Sequence, residues 1–453
     1  MTAQTKPAEL FKKASELLAD GKYQESVDLF RVLLPLAPRE PGLLANMGVA
    51  LRKLDKHEAA LAFTRRALEL QPENTSFMTN AGNCLVALDR KEEALAYHET
   101  AARLSPDDFN IRLNYAFALR EFLLLDEALE QINLACSLQP DHNEAAWERG
   151  IILRSMGRFE EGWPDFEARW KRNHKKEPVY GAPKWEGQDL TGKTILVSEE
   201  QGYGDTILCA RYIPLLKAKG ARVLLGCRPA LHRLFKEVPG VDRIVEAGPL
   251  GERFDYHIPI MSLPRIFNTG LSNVPPMPAL SVSVPVSGKA AELLKMGEGR
   301  FRVGIVWSGN PAFQENRKRA VSIDRFIPLA QIKNVQLFSL QKGAGEEQLA
   351  QSGAQGLIPE LGPLMSDFAD TVAALRKLDL VIMTDSSVAH LAGSAGVPVW
   401  NLLHYRPYWL YGMTGDKTPW YPGMRLIRQP SPGDWDSVFA RVAADLEKLA
   451  CPK

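Results

Sequence analysis

Residues 38–72 read PREPGLLANMGVALRKLDKHEAALAFTRRALELQP, and the same punctuation returns every 34 residues. Pro38, Pro72, Pro106 and Pro140 form one series, each preceded at two residues' distance by Leu36, Leu70, Leu104 or Leu138. Ala14, Gly48, Gly82, Ala116 and Gly150 form a second, and Ser26, Ala60, Ala94, Ala128 and Gly162 a third. Small residues at two fixed places let a pair of antiparallel helices cross closely. The proline closes the second helix, because it lacks an N–H and clashes with the preceding turn. The register therefore predicts stacked helical hairpins over residues 7–172, four of them regular and a fifth fading near Trp170.

The rest of the chain must be something else, since 453 residues exceed one core and the repeats account for only the first third. Charge is balanced, with 55 Lys and Arg against 54 Asp and Glu, so no global field favours nucleic acid or an anionic membrane. The five cysteines, Cys84, Cys136, Cys209, Cys227 and Cys451, are scattered without metal-ligand spacing, which predicts reduced packing residues and no metal site. Residues 1–6 lack the apolar stretch of a signal peptide, and no run of about 18 apolar residues occurs. The expectation is a cytoplasmic protein without a transmembrane segment.

A basic stretch, Lys171-Arg-Asn-His-Lys-Lys-Glu-Pro178, breaks the helical period, and the pattern beyond it changes class. Short β-branched runs alternate with amphipathic stretches: Thr194 to Ser198, a helix from about Asp205 to Lys219, then Arg222 to Cys227. Such alternation predicts a parallel sheet with crossover helices. Prolines 275, 276, 278 and 285 then separate this series from a second one with strands at Phe301 to Trp307, Val335 to Gln341, Leu380 to Thr384 and Val397 to Leu403. Two Rossmann-like halves follow, 178–288 and 298–453. Ligands of such sheets bind beyond the carboxyl ends of the strands, so the loops that follow each strand are the candidate sites.

Four loops qualify. Glu199-Glu-Gln-Gly202-Tyr-Gly204-Asp205 follows the first strand; its glycines let backbone approach a ligand, and Asp205 either faces the cleft or merely caps the next helix. Thr384-Asp385-Ser386-Ser387-Val-Ala-His390 opens a helix whose free N–H groups and dipole favour a phosphate, with hydroxyls from Ser386 and Ser387 and an imidazole from His390 one turn on. Capping serines and a core histidine are the alternative there. Trp307-Ser308-Gly309-Asn310-Pro leads to Arg317-Lys-Arg319, cations that neutralise a diphosphate or simply coat the surface. Lys342 stands in the same relation to the next strand. No phosphate-loop lysine motif and no Gly-x-Ser-x-Gly elbow occurs, which argues against a nucleotide hydrolase and an esterase.

The repeat resembles the tetratricopeptide repeat. Gly204-Asp205, the strand Val303-Gly-Ile-Val-Trp307 and Asp385-Ser-Ser-Val-Ala-His390-Leu-Ala-Gly-Ser-Ala-Gly-Val-Pro398 are together similar to heptosyltransferase-like glycosyltransferases of family 9, which have the two-Rossmann GT-B fold. That resemblance implies an inverting, metal-independent transfer from a nucleotide sugar. Asp205 would be the base that deprotonates the acceptor hydroxyl, with Gly202 and Gly204 beside the acceptor. Asp385, Ser386, Ser387 and His390 would bind the donor, completed by Trp307, Ser308, Gly309, Asn310, Arg319 and Lys342. Ser387 departs from the family pattern and the basic loop is longer, so donor identity does not transfer.

Repeats fused ahead of such a domain resemble protein O-glycosyltransferases, including flagellin-modifying enzymes. Asn46, Asn80 and Asn114 share one repeat position on the first helices, where amides can pair with the backbone of an extended acceptor peptide. Three functions stay open: transfer to a protein hydroxyl, transfer to a glycolipid or surface polysaccharide, and a scaffold without catalysis.

Overall fold

The computed structural model describes residues 7–172, 177–246, 252–278, 280, 282–286, 288–313, 316–343 and 345–451. It contains an all-helical solenoid followed by an α/β unit with two parallel sheets. The basic boundary stretch lies partly outside the described residues, as do residues 314 and 315 of the long polar loop.

The repeat helices are α1 (Pro7–Ala19), α2 (Tyr23–Leu33), α3 (Pro41–Lys53), α4 (His57–Leu70), α5 (Thr75–Ala87), α6 (Lys91–Leu104), α7 (Phe109–Glu121), α8 (Leu125–Leu138), α9 (Asn143–Ser155) and α10 (Phe159–Phe166). The small residues stand where helices touch: a Cβ on Gly48 would meet Thr64 Oγ1 at 2.5 Å, and one on Gly82 would meet His98 Nε2 at 2.5 Å. Phe30, Thr64, His98 and Ile132 are equivalent in the repeat, and all are fully buried. Helices α4, α6 and α8 each end two residues before their proline, since a proline bars its predecessor from helical backbone. In the first repeat α2 stops at Leu33, ahead of an extra Pro35, with Leu34 still in helical backbone.

A further periodic feature carries no constant residue type. Gly21, Asp55, Asp89, Leu123 and Gly157 occupy the turn within each hairpin, and all five have left-handed backbone, with φ of 77°, 58°, 59°, 59° and 77°. That conformation ends a helix by turning the chain back.

In the α/β unit the first sheet has strands β1 (Thr194–Ser198), β2 (Arg222–Gly226), β3 (Arg243–Val245) and β4 (Tyr256–Pro259), in the order β3-β2-β1-β4 and all parallel. The second has β5 (Phe301–Val306), β6 (Val335–Ser339), β7 (Leu380–Thr384), β8 (Val399–Leu403) and β9 (Met424–Arg428), in the order β6-β5-β7-β8-β9, also parallel. Fully buried runs such as Leu380–Thr384 show why: a strand covered by helices on both faces has no polar side. The single helix expected from Asp205 to Lys219 is two, α11 (Tyr203–Cys209) and α12 (Ile213–Ala218), because Pro214 cannot continue the first. Contacts group α10, within Arg154–Glu167, with the α/β unit, whereas the segment from Ala168 groups with the solenoid.

Candidate active site

Helix α11 follows β1, and helix α13 (Ser387–Ser394) follows β7, so each starts at the carboxyl end of a strand. The two helices pack on each other at Gly204. A Cβ there would lie 2.7 Å from His390 Cδ2 and 3.4 Å from Ser387 Cα, so the contact exists only for glycine. It brings the loop of one half against the helix start of the other, and with it Asp205.

Asp205 is half-buried, and its Oδ2 accepts a hydrogen bond from Gly202 N at 2.9 Å. It therefore caps its own helix, as one reading of the sequence held. Capping does not exhaust it: burial, followed by the charges of Glu200 and Asp385, pushes its carboxyl up to about 6. Glu200 is held by Met261 N, which donates to Oε1 at 3.0 Å.

Asp385 is buried and doubly engaged. Arg319 Nη1 donates to its Oδ2 at 2.6 Å and the Tyr411 hydroxyl to its Oδ1 at 2.8 Å. A carboxylate so placed repels a diphosphate rather than binding it, so its direct use is to aim Arg319. His390 is buried, bonded through Nδ1 to the Tyr421 hydroxyl at 3.0 Å, and burial lowers it to about 4, so it is neutral at physiological pH. Ser386 is the N-cap residue of α13, yet its side chain makes no capping bond and its buried Oγ has no partner in the protein. An unsatisfied hydroxyl beside the free N–H groups of a helix's first turn suits an anionic oxygen.

The loop after β5 behaves less uniformly. Trp307 is fully buried in the core of the second half, so it backs the site rather than lining it. Gly309 lies near Ser386, whose Cβ would be 3.8 Å from an added methyl, and Gly309 N donates to Asn316 Oδ1 at 2.9 Å. Ser308 is fixed by its N–H to Gln341 Oε1 at 3.1 Å and by Asn316 Nδ2 at 3.2 Å. Asn310 is exposed and accepts from Ala312 N at 3.0 Å. Lys342 is exposed, its Nζ donating to the Met365 carbonyl. The structure thus gathers Asp205, Gly204, Ser386, Ser387, His390, Asp385, Arg319 and Gly309, while the bonds described for the Asn310 and Lys342 side chains go to Ala312 and Met365.

Residues that the sequence did not single out complete the arrangement. Tyr411 and Tyr421 orient Asp385 and His390. Gln341 ties the Trp307–Ser308 backbone, with Nε2 donating to Ser308 O at 3.0 Å. Buried Arg211 joins the halves: it donates to Leu208 O at 2.9 Å and Pro275 O at 3.2 Å in the first, and to Trp420 O at 3.0 Å in the second.

In the solenoid, Asn46, Asn80 and Asn114 are the sixth residues of α3, α5 and α7, and all three are half-buried. Asn46 Nδ2 donates to Ser15 Oγ at 3.4 Å, while Asn114 accepts from Asn83 Nδ2 at 2.9 Å and donates to Asn110 O at 2.7 Å. Asn46 and Asn114 are thus each bonded to a neighbouring repeat.

Residues 46–109 match the tetratricopeptide-repeat family. The chain carries tetratricopeptide repeats. Over 328 residues it is 28% identical to Protein FlbA of Caulobacter vibrioides, a stretch covering 67% of this chain and 54% of that protein; the chain thus spans about half of that relative's length. Solved structures similar to it include MamA 41-end from Desulfovibrio magneticus RS-1, at 19% identity over 38% of this chain and 99% of that one, TM-score 0.32. Another is a thermophilic TPR protein in Thermus thermophilus, at 21% identity over 37% and 92%, TM-score 0.35. Tetratricopeptide repeats suggest a role in binding protein partners. No helix among the described residues is long and apolar enough to cross a membrane.

Proposed function

We propose that the chain is a glycosyltransferase that moves a sugar from a nucleotide-sugar donor to a hydroxyl of a protein acceptor recruited by the repeats. The observation that carries this reading is the Gly204–His390 approach, which sets the Asp205 carboxylate beside the Asp385-Ser386-Ser387 start of α13, at the carboxyl ends of strands from both sheets. A base on one side and anion-binding groups on the other are what displacement at a sugar carbon needs.

In this reading Asp205 takes the proton of the acceptor hydroxyl as its oxygen attacks the anomeric carbon. The bond from that carbon to the donor's phosphate oxygen breaks, and the nucleoside diphosphate leaves with the electron pair. Ser386, Ser387 and the first-turn N–H groups of α13 stabilise the charge on it, and Arg319, aimed by Asp385, neutralises it. Attack opposite the leaving group inverts the anomeric centre. A raised carboxyl of about 6 fits a base working near neutrality. Flagellin is a candidate acceptor through the resemblance described above, and the cytoplasm the matching compartment.

The test is incubation with a panel of nucleotide sugars, with and without protein acceptor, comparing the protein with Asp205→Asn. Transfer that falls by roughly 100-fold or more in the variant supports the base assignment; unchanged turnover removes Asp205 from the mechanism. The scaffold reading draws on the fact that Asp205 and Asp385 are already bonded within the protein. Nucleotide-induced stabilisation without turnover of any sugar would establish it.

A further inference from the structure

The second helix of the fifth hairpin does more than end the repeats. Helix α10 presents Phe159, Trp163 and Phe166 from one face, all fully buried. Trp163 Nε1 donates to Thr269 O at 2.7 Å in the first half, and Thr269 Oγ1 in turn lies 2.7 Å from the Tyr212 hydroxyl. The same helix grips the second half, with the Trp409 ring edge-on to Phe159 at 5.5 Å and to Trp163 at 5.4 Å. The Arg154 guanidinium lies over Phe166 at 4.4 Å, Trp409 at 5.1 Å and Trp163 at 5.7 Å. Fit on the first half is tight: a Cβ on Gly270 would fall 1.8 Å from Glu160 Oε1.

Trp409 begins the single turn Trp409–Tyr411, and Tyr411 is the residue whose hydroxyl holds Asp385. Tyr408, one residue before, has its hydroxyl pushed up by burial first and by the Asp205 charge second. Arg428 fixes the exit of the turn, donating to Tyr411 O at 2.7 Å and Gly412 O at 2.9 Å. The entry side is fixed by the aromatic cage.

We propose that α10 is a positioning element of the active site: its Phe159 and Trp163, with Arg154 from the end of α9, fix Trp409, and the turn it starts sets Tyr411 on Asp385 and hence Arg319. This rests on the transferase reading only for what Arg319 then does.

Two measurements on the full chain test it. Hydrogen exchange reads the turn with no ligand present. Trp163→Leu and Arg154→Met are each expected to speed exchange of amides 408–412 about 10-fold or more while β5 and β7 amides stay as they were, and Trp163→Phe, which keeps a ring, is expected to stay near the unmodified protein. Unchanged exchange at 408–412 overturns the proposal, and general loss of protection in β5 and β7 assigns α10 to global stability instead.

The second is a double-mutant cycle on binding of UDP, GDP, ADP or CDP, whichever binds. If α10 acts through the turn, Tyr411→Phe weakens binding roughly 10-fold, and adding Trp163→Leu weakens it less than about 2-fold further, because the two changes break one connection. Fully multiplicative losses overturn that route. If none of the four binds the unmodified protein, the transferase reading falls and exchange alone decides the role of α10.

Discussion

Gly204→Ala pits two effects of known sign against each other. Gly204 is the second residue of α11, where alanine gains up to about 1 kcal/mol over glycine in helix propensity. Against it stands the geometry. The new methyl would lie 2.7 Å from His390 Cδ2, closer than real contacts come, and 3.4 Å from Ser387 Cα. The imidazole cannot swing away cheaply, since it is buried and its Nδ1 is bonded to Tyr421. Overpacking of this kind costs about 1–3 kcal/mol, so the net change should be destabilising by up to about 2 kcal/mol, relieved by separation of α11 from α13. Asp205 is the next residue and moves with α11. A displacement near 1 Å costs about 100-fold in an oriented reaction, so activity should fall far more than stability. Thermal unfolding and donor turnover, measured together, decide it. A variant with higher Tm and full turnover would refute the close approach and, with it, the reasoning that assembles the site.

Other expectations follow from single features. Because catalysis requires ionised Asp205, turnover should rise with pH through about 6 and level off above it; Glu200→Gln removes a charge that helps raise that carboxyl, so the limb should move to lower pH. His98 is fully buried and neither ring nitrogen has a partner; against lost stacking on Tyr115, His98→Leu should stabilise the solenoid by about 1–2 kcal/mol in denaturant unfolding. Burial lowers His98 from 6.5 to about 4, so the unfolded chain binds the proton first: stability should be lost as pH falls from 6.5 towards 4, and His98→Leu should remove that loss. Leu123 is held at φ 59°, where a branched side chain costs about 1–2 kcal/mol, so Leu123→Gly should raise solenoid stability by about 1 kcal/mol despite the entropy of glycine.

What the sequence made readable was whatever repeats or is local. The crossing points at Gly48 and Gly82 announced themselves as small residues at constant spacing, and the structure places helices in contact there. The left-handed turn repeats just as strictly, yet Gly, Asp, Asp, Leu and Gly fill it, so the backbone constraint leaves no single letter to find. Strands β1 and β7 were legible as β-branched runs with a Gly-rich or Ser-rich loop after them. Three-residue β3 and four-residue β4 are too short to show a period, and the expected helix after β1 ignored what Pro214 does to it.

The site divides along the same line, and Asp385 shows why. Its place after a strand and before a helix is a local fact, and it suggested contact with a phosphate. What its carboxylate does depends on Arg319, 66 residues earlier, and Tyr411, 26 residues later. Neither distance has a period, so only the fold sets them together. The consequence is chemical. With both oxygens occupied, Asp385 contributes by fixing a cation, whereas Ser386 keeps an unpaired hydroxyl at the helix start. Removing the carboxylate by Asp385→Asn should therefore free Arg319 rather than strip a ligand contact, and a nucleoside diphosphate should bind with altered affinity while Ser386→Ala loses a direct contact. The local motif marked a strand-to-helix junction; the bonding of its side chains follows from pairs that span the α/β unit.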